Sequence, residues 1–154
     1  MTTVAQLLDG KGYDVASVGP NSTVYDAIKK MSDNDIGSVA VVDDGKLVGI
    51  FTERHYARRV FLKGKASPDT RVGDVMARNP ICVIPEQTVE QCMAVMTENA
   101  VRHLPVIDNN QMIGIISIGD LVKSIISEQK FIISNLEHYI RGTGQYSLDK
   151  NDAG

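Results

Sequence analysis

The feature that most constrains the fold of this chain is an internal repeat. Residues 18–55 align without a gap on residues 83–120 when the sequence is shifted by 65 positions. Ten of the 38 aligned pairs are identical, against about two expected from ordinary residue usage. The identical pairs are Val18/Val83, Pro20/Pro85, Thr23/Thr88, Val24/Val89, Met31/Met96, Asn34/Asn99, Val41/Val106, Asp43/Asp108, Gly49/Gly114 and Ile50/Ile115. The chain is therefore interpreted as two copies of one structural unit.

Each copy carries the same series of predicted elements, β-α-β-β-α. Apolar residues at helical spacing, preceded by a capping Thr23 or Thr88, predict the first helix. The turn sequences Asp44-Gly45 and Asn109-Asn110 predict a hairpin in each copy. The predicted strands are 15–18, 38–43 and 47–51 in copy one, and 81–84, 103–108 and 112–117 in copy two; the closing helices are 53–62 and 119–129.

The repeat also predicts how the chain is divided. We assign residues 5–65 to the first repeat, 70–130 to the second, and 131–154 to a C-terminal helix and a frayed tail from 142. Short helices (4–8 and 72–76) precede the copies, and a polar linker (63–70) separates them. Because a single copy of about 60 residues forms only a marginal core, we expect a pseudo-twofold pair of the α/β (α+β) class. The apolar periodicity of 131–140 predicts a helix that a partner subunit covers.

Composition and charge exclude several classes of function. A net charge of −3 and a pI near 5.6 argue against nucleic acid as the main partner. No apolar stretch approaches the roughly 18–20 residues of a membrane span, and the first residues do not resemble a signal peptide. We therefore expect a cytoplasmic protein. In that reducing compartment Cys82 and Cys92 are expected to be small buried side chains rather than a disulfide.

Residues at the end of the second copy could bind phosphate and ribose. Ser117 and Asp120 follow a strand, where a hydroxyl, a carboxylate and backbone amides converge on phosphate and ribose hydroxyls. The alternative is a capping box that only satisfies helix donors. Arg102 and His103 can reach a ligand phosphate, or can simply face solvent.

With these motifs in place, the chain resembles a tandem pair of CBS domains, known as a Bateman module. The resemblance covers residues 5–130 and rests on the Val-x-Pro-x-x-Thr-Val opening of each copy and on the closing motif, residues 114–120 (GIISIGD). In copy one the closing motif ends in His55 instead of aspartate. The segments FTERHYARR and LEHYIRG are similar to stand-alone bacterial members, and the length leaves no room for a catalytic domain.

The resemblance implies a non-catalytic sensor that binds AMP, or ADP, ATP or NAD, between the repeats of a disc-like homodimer. Asp120 then recognises ribose, while Ser117, Arg102 and His103 hold phosphate. The remaining residues implied at this site are Lys11, Gly12, Val15, Ala16, Ser17 and Pro105.

A second, weaker site is expected in copy one at Thr52, Arg54, His55 and Arg58, because imidazole lacks the acceptor pair that a ribose diol prefers. The positive patch there, which extends to Arg59, Lys63 and Lys65, has three interpretations: a solvated helix face, a site for the phosphates of ATP or NAD, or a docking surface for an acidic partner.

Two alternatives to the nucleotide sensor stay open: an NAD(H)-binding redox or energy sensor, and a ligand-independent protein-docking module. Catalysis is not expected, since there is no P-loop, no nucleophile-base arrangement, and no metal-ligand cluster among His55, His103 and His138.

Overall fold

The computed structural model describes residues 1–140 of the 154. The elements are α1 (Val4–Lys11), β1 (Ser17–Val18), α2 (Val24–Asn34), β2 (Ser38–Asp43), β3 (Lys46–Thr52), α3 (Glu53–His55), α4 (Val72–Val75), β4 (Ala77–Arg78), α5 (Val89–Asn99), β5 (His103–Asp108), β6 (Gln111–Ser117) and α6 (Ile118–Ile140). A π-helical segment, Tyr56–Phe61, continues α3. The tail predicted at 142–154 lies outside the described residues. No helix within residues 1–140 is long and apolar enough to cross a bilayer.

The two hairpins lie at equivalent positions of the sequence repeat, and they confirm the predicted fold class. β2 and β3 pair antiparallel from Ser38 opposite Thr52, and β5 and β6 pair from His103 opposite Ser117. Both ladders change register at equivalent points, after Val41 and after Val106. The turn residues adopt the positive φ angles expected from their sequence, as at Asp44 (51°), Gly45 (76°), Asn109 (50°) and Asn110 (64°).

The first strands of the two halves differ from the prediction. β1 is shorter than expected and pairs parallel with β2. The strand predicted at 81–84 is wrong, since only Val83 bridges to Val106. The amide of Ile84 donates instead to the Gln87 side chain (2.8 Å), and prolines before and after the segment lack amide donors. β4 was not predicted, and it pairs antiparallel with β3 to complete a four-stranded sheet beside the two-stranded β5-β6 sheet.

The short helices before the two copies are exchanged between the halves. Val4, Leu7 and Leu8 of α1 lie in the core formed by α5, β5, β6 and α6 of the second half. Val72 and Val75 of α4 lie in the core of the first half, with α2, β2 and β3. Backbone hydrogen bonds hold each short helix against the opposite half. The Val4 amide donates to the Gln87 carbonyl (2.8 Å), and the Val72 amide donates to the Ser22 carbonyl (2.8 Å). Each core therefore depends on the short helix that precedes the other copy in the sequence.

Two glycines of the repeat make room for the exchanged segments. A Cβ on Gly49 would lie 2.7 Å from the carbonyl oxygen of Ala77 and 2.5 Å from Met76 Sδ. A Cβ on Gly114 would lie 2.8 Å from Leu8 Cδ2. The identity of this pair across the repeat therefore has a packing reason: each glycine sits where a crossing segment passes over the third strand of its half.

The closing helices of the two halves are unequal. α6 is one continuous helix that spans both predicted helical segments, 119–129 and 131–140. Its first turns pack into the second core through Ile118, Leu121 and Ile125, and every residue from 131 to 140 is exposed. The counterpart in the first half is three residues of α-helix followed by the π-helical segment, in which Phe61 is exposed.

The two free cysteines differ in exposure. Cys92 is buried in the second core, as predicted, and burial raises the pKa of its thiol to about 11. For Cys82 the prediction is wrong, because this side chain is exposed in the segment that fails to form a strand.

Candidate functional site

The predicted carboxylate of the second half forms a complete capping box at the start of α6. The Ser117 amide donates to Asp120 Oδ2 (2.8 Å), and the Asp120 amide donates to Ser117 Oγ (3.2 Å). This is the arrangement that the sequence left as the alternative to a ligand site. Asp120 Oδ1 accepts no hydrogen bond from any residue between 1 and 140, so one carboxylate oxygen can still accept a ligand hydroxyl.

Lys11, from the end of α1, binds the same carboxylate. Its Nζ lies 2.6 Å from Asp120 Oδ2 and 2.6 Å from the Ile115 carbonyl oxygen. Burial raises the pKa of Asp120, but the Lys11 ammonium and the Ser117 amide and hydroxyl outweigh it, so the pKa lies below its ordinary value. The structure thus brings Lys11 and Asp120 together, as the resemblance implied, through an ion pair that ties α1 to α6.

Replacing Asp120 with asparagine is expected to lower the free energy of unfolding near pH 7 by about 1 kcal/mol. A charged hydrogen bond contributes roughly 1.5–3 kcal/mol, and the partial exposure of Lys11 reduces that value. Because the folded-state pKa is depressed below the ordinary 3.8, this stabilisation is present above that pH and is lost as the pH falls through the folded-state pKa. Urea unfolding of both proteins near pH 7 and near pH 2 measures it.

The control is Asp44→Asn, which makes the same chemical change at an exposed turn residue and should alter stability little at either pH. If the Asp120→Asn difference stayed constant down to pH 2, the charge of Asp120 would not be its source.

The equivalent position of the first half holds His55 in the same capping geometry. The His55 amide donates to Thr52 Oγ1 (3.1 Å), and the Thr52 amide donates to His55 Nδ1 (3.2 Å). Burial, with Arg59, His103, Arg54 and Arg58 nearby, lowers the pKa of His55 to about 4. The ring is therefore neutral near pH 7, and because Nδ1 accepts a hydrogen bond, the proton lies on Nε2.

An open cleft with a cavity volume of about 510 Å³ lies beside His55, between the two halves. Its lining comes from the start of α3 and the π-helical segment (Thr52, Glu53, Arg54, His55, Arg58, Arg59), from residues 77–81 and 100–103, and from Gly37 and Ile50. All four residues predicted for the weaker site therefore line one cleft. Lys11, Ser117 and Asp120 are not among its lining residues.

Arg102 and His103, which the sequence analysis placed with Asp120, line the His55 cleft. His103 lies between the two positions. Burial and the charges of Lys11 and Arg102 lower its pKa, and Asp120 raises it. A Cβ on Gly37, the repeat equivalent of Arg102, would lie 3.4 Å from His103 Nε2. The two candidate sites are therefore adjacent, with His103 between them.

The cleft is strongly cationic. The side chains of Arg54, Arg58 and Arg102 belong to exposed residues and form no hydrogen bond or ion pair with residues 1–140. Arg59 donates to the carbonyl oxygens of Val75 (3.1 Å) and Met76 (3.0 Å), so it also holds the crossing segment in place. Another lining arginine, Arg78, donates to the Gly73 carbonyl (3.0 Å), and Glu53 is the single carboxylate among the lining residues.

Comparison with known proteins identifies the family. The CBS domain profile matches twice, over residues 11–61 and 72–127. The chain belongs to the CBS domain family. The solved structure of a protein with CBS domains from Burkholderia ambifaria is 43% identical, covers 96% of this chain and 100% of its own, and superimposes with a TM-score of 0.80. A mitochondrial CBS domain-containing protein of Arabidopsis thaliana is 38% identical over 92% of this chain and 73% of its own length.

A third CBS domain pair, crystallised with 5′-methylthioadenosine and S-adenosyl-L-methionine, shares the fold at 23% identity with a TM-score of 0.73. It covers 83% of this chain and 98% of its own.

The other residues predicted for the Asp120 site of this CBS pair lie away from the cleft. Gly12 ends α1 with a φ of 108°, which favours glycine. Val15, Ala16 and Ser17 run into β1, and Pro105 is buried in β5 opposite Ile115. None of the five lines the cleft.

Sequence reasoning missed one wall of the cleft, formed by residues 77–81. The signal was available in the repeat, because the offset of 65 places these residues on 12–16, the segment predicted for the other site. In the other half, Lys11, directly before the equivalent segment 12–16, contacts Asp120.

Proposed function

We propose that this CBS pair is a non-catalytic regulatory module that binds an adenosine nucleotide, with the ligand phosphates in the arginine cleft. The observation that carries the proposal is that Arg54, Arg58 and Arg102 line one cleft while their side chains have no partners among residues 1–140. Guanidinium groups match phosphate oxygens in bidentate hydrogen bonds. A volume of about 510 Å³ is within the usual range of about 300–1,000 Å³ for small-molecule sites.

The cleft draws its cations from both halves of the pair. Arg54 and Arg58 belong to the first half, whereas Arg102 and His103 begin β5 of the second. A phosphate held by both sets stabilises one arrangement of the halves over others, and a partner protein can respond to that shift. This is the physical basis we propose for regulation.

The Asp120 position is proposed as a second adenosine site, in which Oδ1 accepts a ribose hydroxyl. Its Oδ2 is already held by Lys11 and Ser117, so a ribose bound through both carboxylate oxygens has to displace the Lys11 ammonium. The CBS pair crystallised with 5′-methylthioadenosine and S-adenosyl-L-methionine supports the capacity of this fold for adenosine groups. AMP is the simplest ligand for this position.

We also propose that two copies associate through α6. This helix carries exposed apolar residues along its length, including Val122 (41%), Ile126 (45%), Ile133 (55%), Leu136 (54%) and Ile140 (79%). Their spacing alternates between three or four residues when Gln129 is included, which is the heptad pattern of paired helices. A homodimer buries this stripe in a way that the single chain does not.

Isothermal titration calorimetry with AMP, ADP, ATP and NAD tests the nucleotide proposal. We expect at least one adenosine ligand to bind, and the same ligand at 100 times its Kd to stabilise the protein by about 2.7 kcal/mol. That corresponds to a rise of roughly 5–11 °C in melting temperature. Asp120→Asn reports whether the second position contributes. Absence of binding by all four ligands would overturn the proposal and favour a ligand-independent docking module.

A further inference from the structure

The repeat supplies an internal comparison of the two positions. Asp120 and His55 are 65 residues apart in the sequence and form the same pair of capping hydrogen bonds, to Ser117 and Thr52. Their side chains therefore leave the backbone at equivalent places at the start of equivalent helices. What differs is the chemistry that each side chain offers to a ligand.

At Asp120 the free atom is a carboxylate oxygen, which accepts hydrogen bonds from hydroxyl groups. At His55 the capping bond occupies Nδ1, and the neutral ring leaves Nε2–H as a donor. An acceptor in one half is thus replaced by a donor in the other. Hydroxyls can accept from a donor, but phosphate oxygens are acceptors only and suit it better.

The residues beside His55 also differ from their repeat equivalents beside Asp120. Arg54 and Arg58 flank it and line the cleft, whereas the equivalent positions beside Asp120 are Gly119 and Lys123. In dinucleotide-binding folds an acidic residue binds a free ribose hydroxyl, and an arginine accommodates a phosphate attached to that hydroxyl. The two halves of this chain differ in the same way: one has Asp120, and the other has His55 with two arginines.

We infer that the cleft beside His55 selects nucleotides whose ribose carries a phosphate, at the 2′ or 3′ oxygen, over nucleotides with a free ribose diol. The inference rests on the proposed function and specifies its ligand class. His55 and the flanking Arg54 and Arg58 bind the ribose phosphate, and Arg102 on the opposite wall binds the 5′-phosphate. The two halves are then adapted to different nucleotides, a free diol at Asp120 and a phosphorylated ribose at His55.

The test separates the position of the phosphates from their number. Adenosine 2′,5′-bisphosphate and adenosine 3′,5′-bisphosphate each carry two phosphates, as ADP does, and NADP differs from NAD by one ribose phosphate. Calorimetry on Asp120→Asn, which removes the carboxylate of the other position, is expected to show at least one bisphosphate binding about 10–100-fold more tightly than ADP, which corresponds to one charged hydrogen bond. NADP should likewise bind more tightly than NAD.

His55→Asp is the decisive variant, because aspartate forms the same capping box at position 120 and should preserve the fold. It is expected to remove the preference for the bisphosphate and to bring ADP to equal or tighter binding. His55→Asn, which keeps a capping oxygen and an N–H donor, should retain part of the preference. Unchanged melting temperatures show that both variants fold.

If ADP binds as tightly as both bisphosphates to protein that retains His55, this inference is overturned and the proposed function stands. Absence of binding by every nucleotide would overturn both. A preference that survives His55→Asp unchanged would also contradict the role of His55.

Discussion

Truncating Leu8 to alanine is expected to lower the melting temperature by about 4–20 °C. Leu8 is fully buried in the core of the second half, although it lies near the start of the chain. A Leu→Ala change at such a site costs about 2–5 kcal/mol, through lost transfer energy and the cavity that remains. Each kcal/mol lowers the melting temperature of a chain of this size by about 2–4 °C.

Hydrogen exchange shows where this loss acts. Amides of α5, β5 and β6 should lose protection in Leu8→Ala, because α1 completes their core. The control is Gly10→Ala in the same helix, where a Cβ meets nothing within 4 Å. That change should stabilise the protein by roughly 0.5–1 kcal/mol. Loss of protection confined to the first half would contradict the exchange of the short helices.

The local elements of this fold follow closely from the sequence. Short-range signals determine the hairpins, because turn residues such as Asp44-Gly45 specify positive φ angles and nearly continuous apolar runs mark strands that are covered on both faces or packed under helices. The structure places β2 and β5 at the predicted residues, and β3 and β6 begin one residue earlier. Here local propensity and tertiary packing favour the same conformation.

The exchange of α1 and α4 could not be predicted in this way. Both halves offer equivalent apolar grooves, so periodicity shows that a short helix is buried but not which half buries it. The paired glycines at 49 and 114 contained the relevant signal, since a residue without a side chain indicates a close approach. Only the structure identifies what approaches them: Met76 and Ala77 in one half, and Leu8 in the other.

The candidate site shows the same limit. The sequence identified Asp120 and His55 as equivalent and chemically different, and the hydrogen bonds agree. The resemblance placed Lys11 at the Asp120 site but did not indicate that its ammonium pairs with the carboxylate itself. Nor could the sequence indicate that Arg102 faces the other position, because both contacts depend on how the halves are placed. The exchange of helices controls that placement: α1 brings Lys11 to Asp120, and the segment after α4 forms a wall of the cleft.

Removing the unpaired arginines of the cleft should have the largest effect on ligand binding. We expect Arg54→Gln, Arg58→Gln and Arg102→Gln each to weaken nucleotide binding about tenfold, the lower end for a charged hydrogen bond, because these side chains are exposed. The triple variant should lose about 100–1,000-fold, since neighbouring changes are not fully additive. Calorimetry at two salt concentrations measures this, and the affinity of the unaltered protein should fall as salt screens the cleft.

The matched control is Arg71→Gln, since Arg71 is exposed, lies outside the cleft and pairs with Asp74. Its effect on binding should be below twofold. Losses for Arg54 and Arg58 without a loss for Arg102 would confine the ligand to the first half and contradict a ligand that bridges the pair. Equal losses on both walls would mean that one nucleotide is held by residues of both halves, and the same arginines that give affinity would then couple occupancy to the arrangement of the halves.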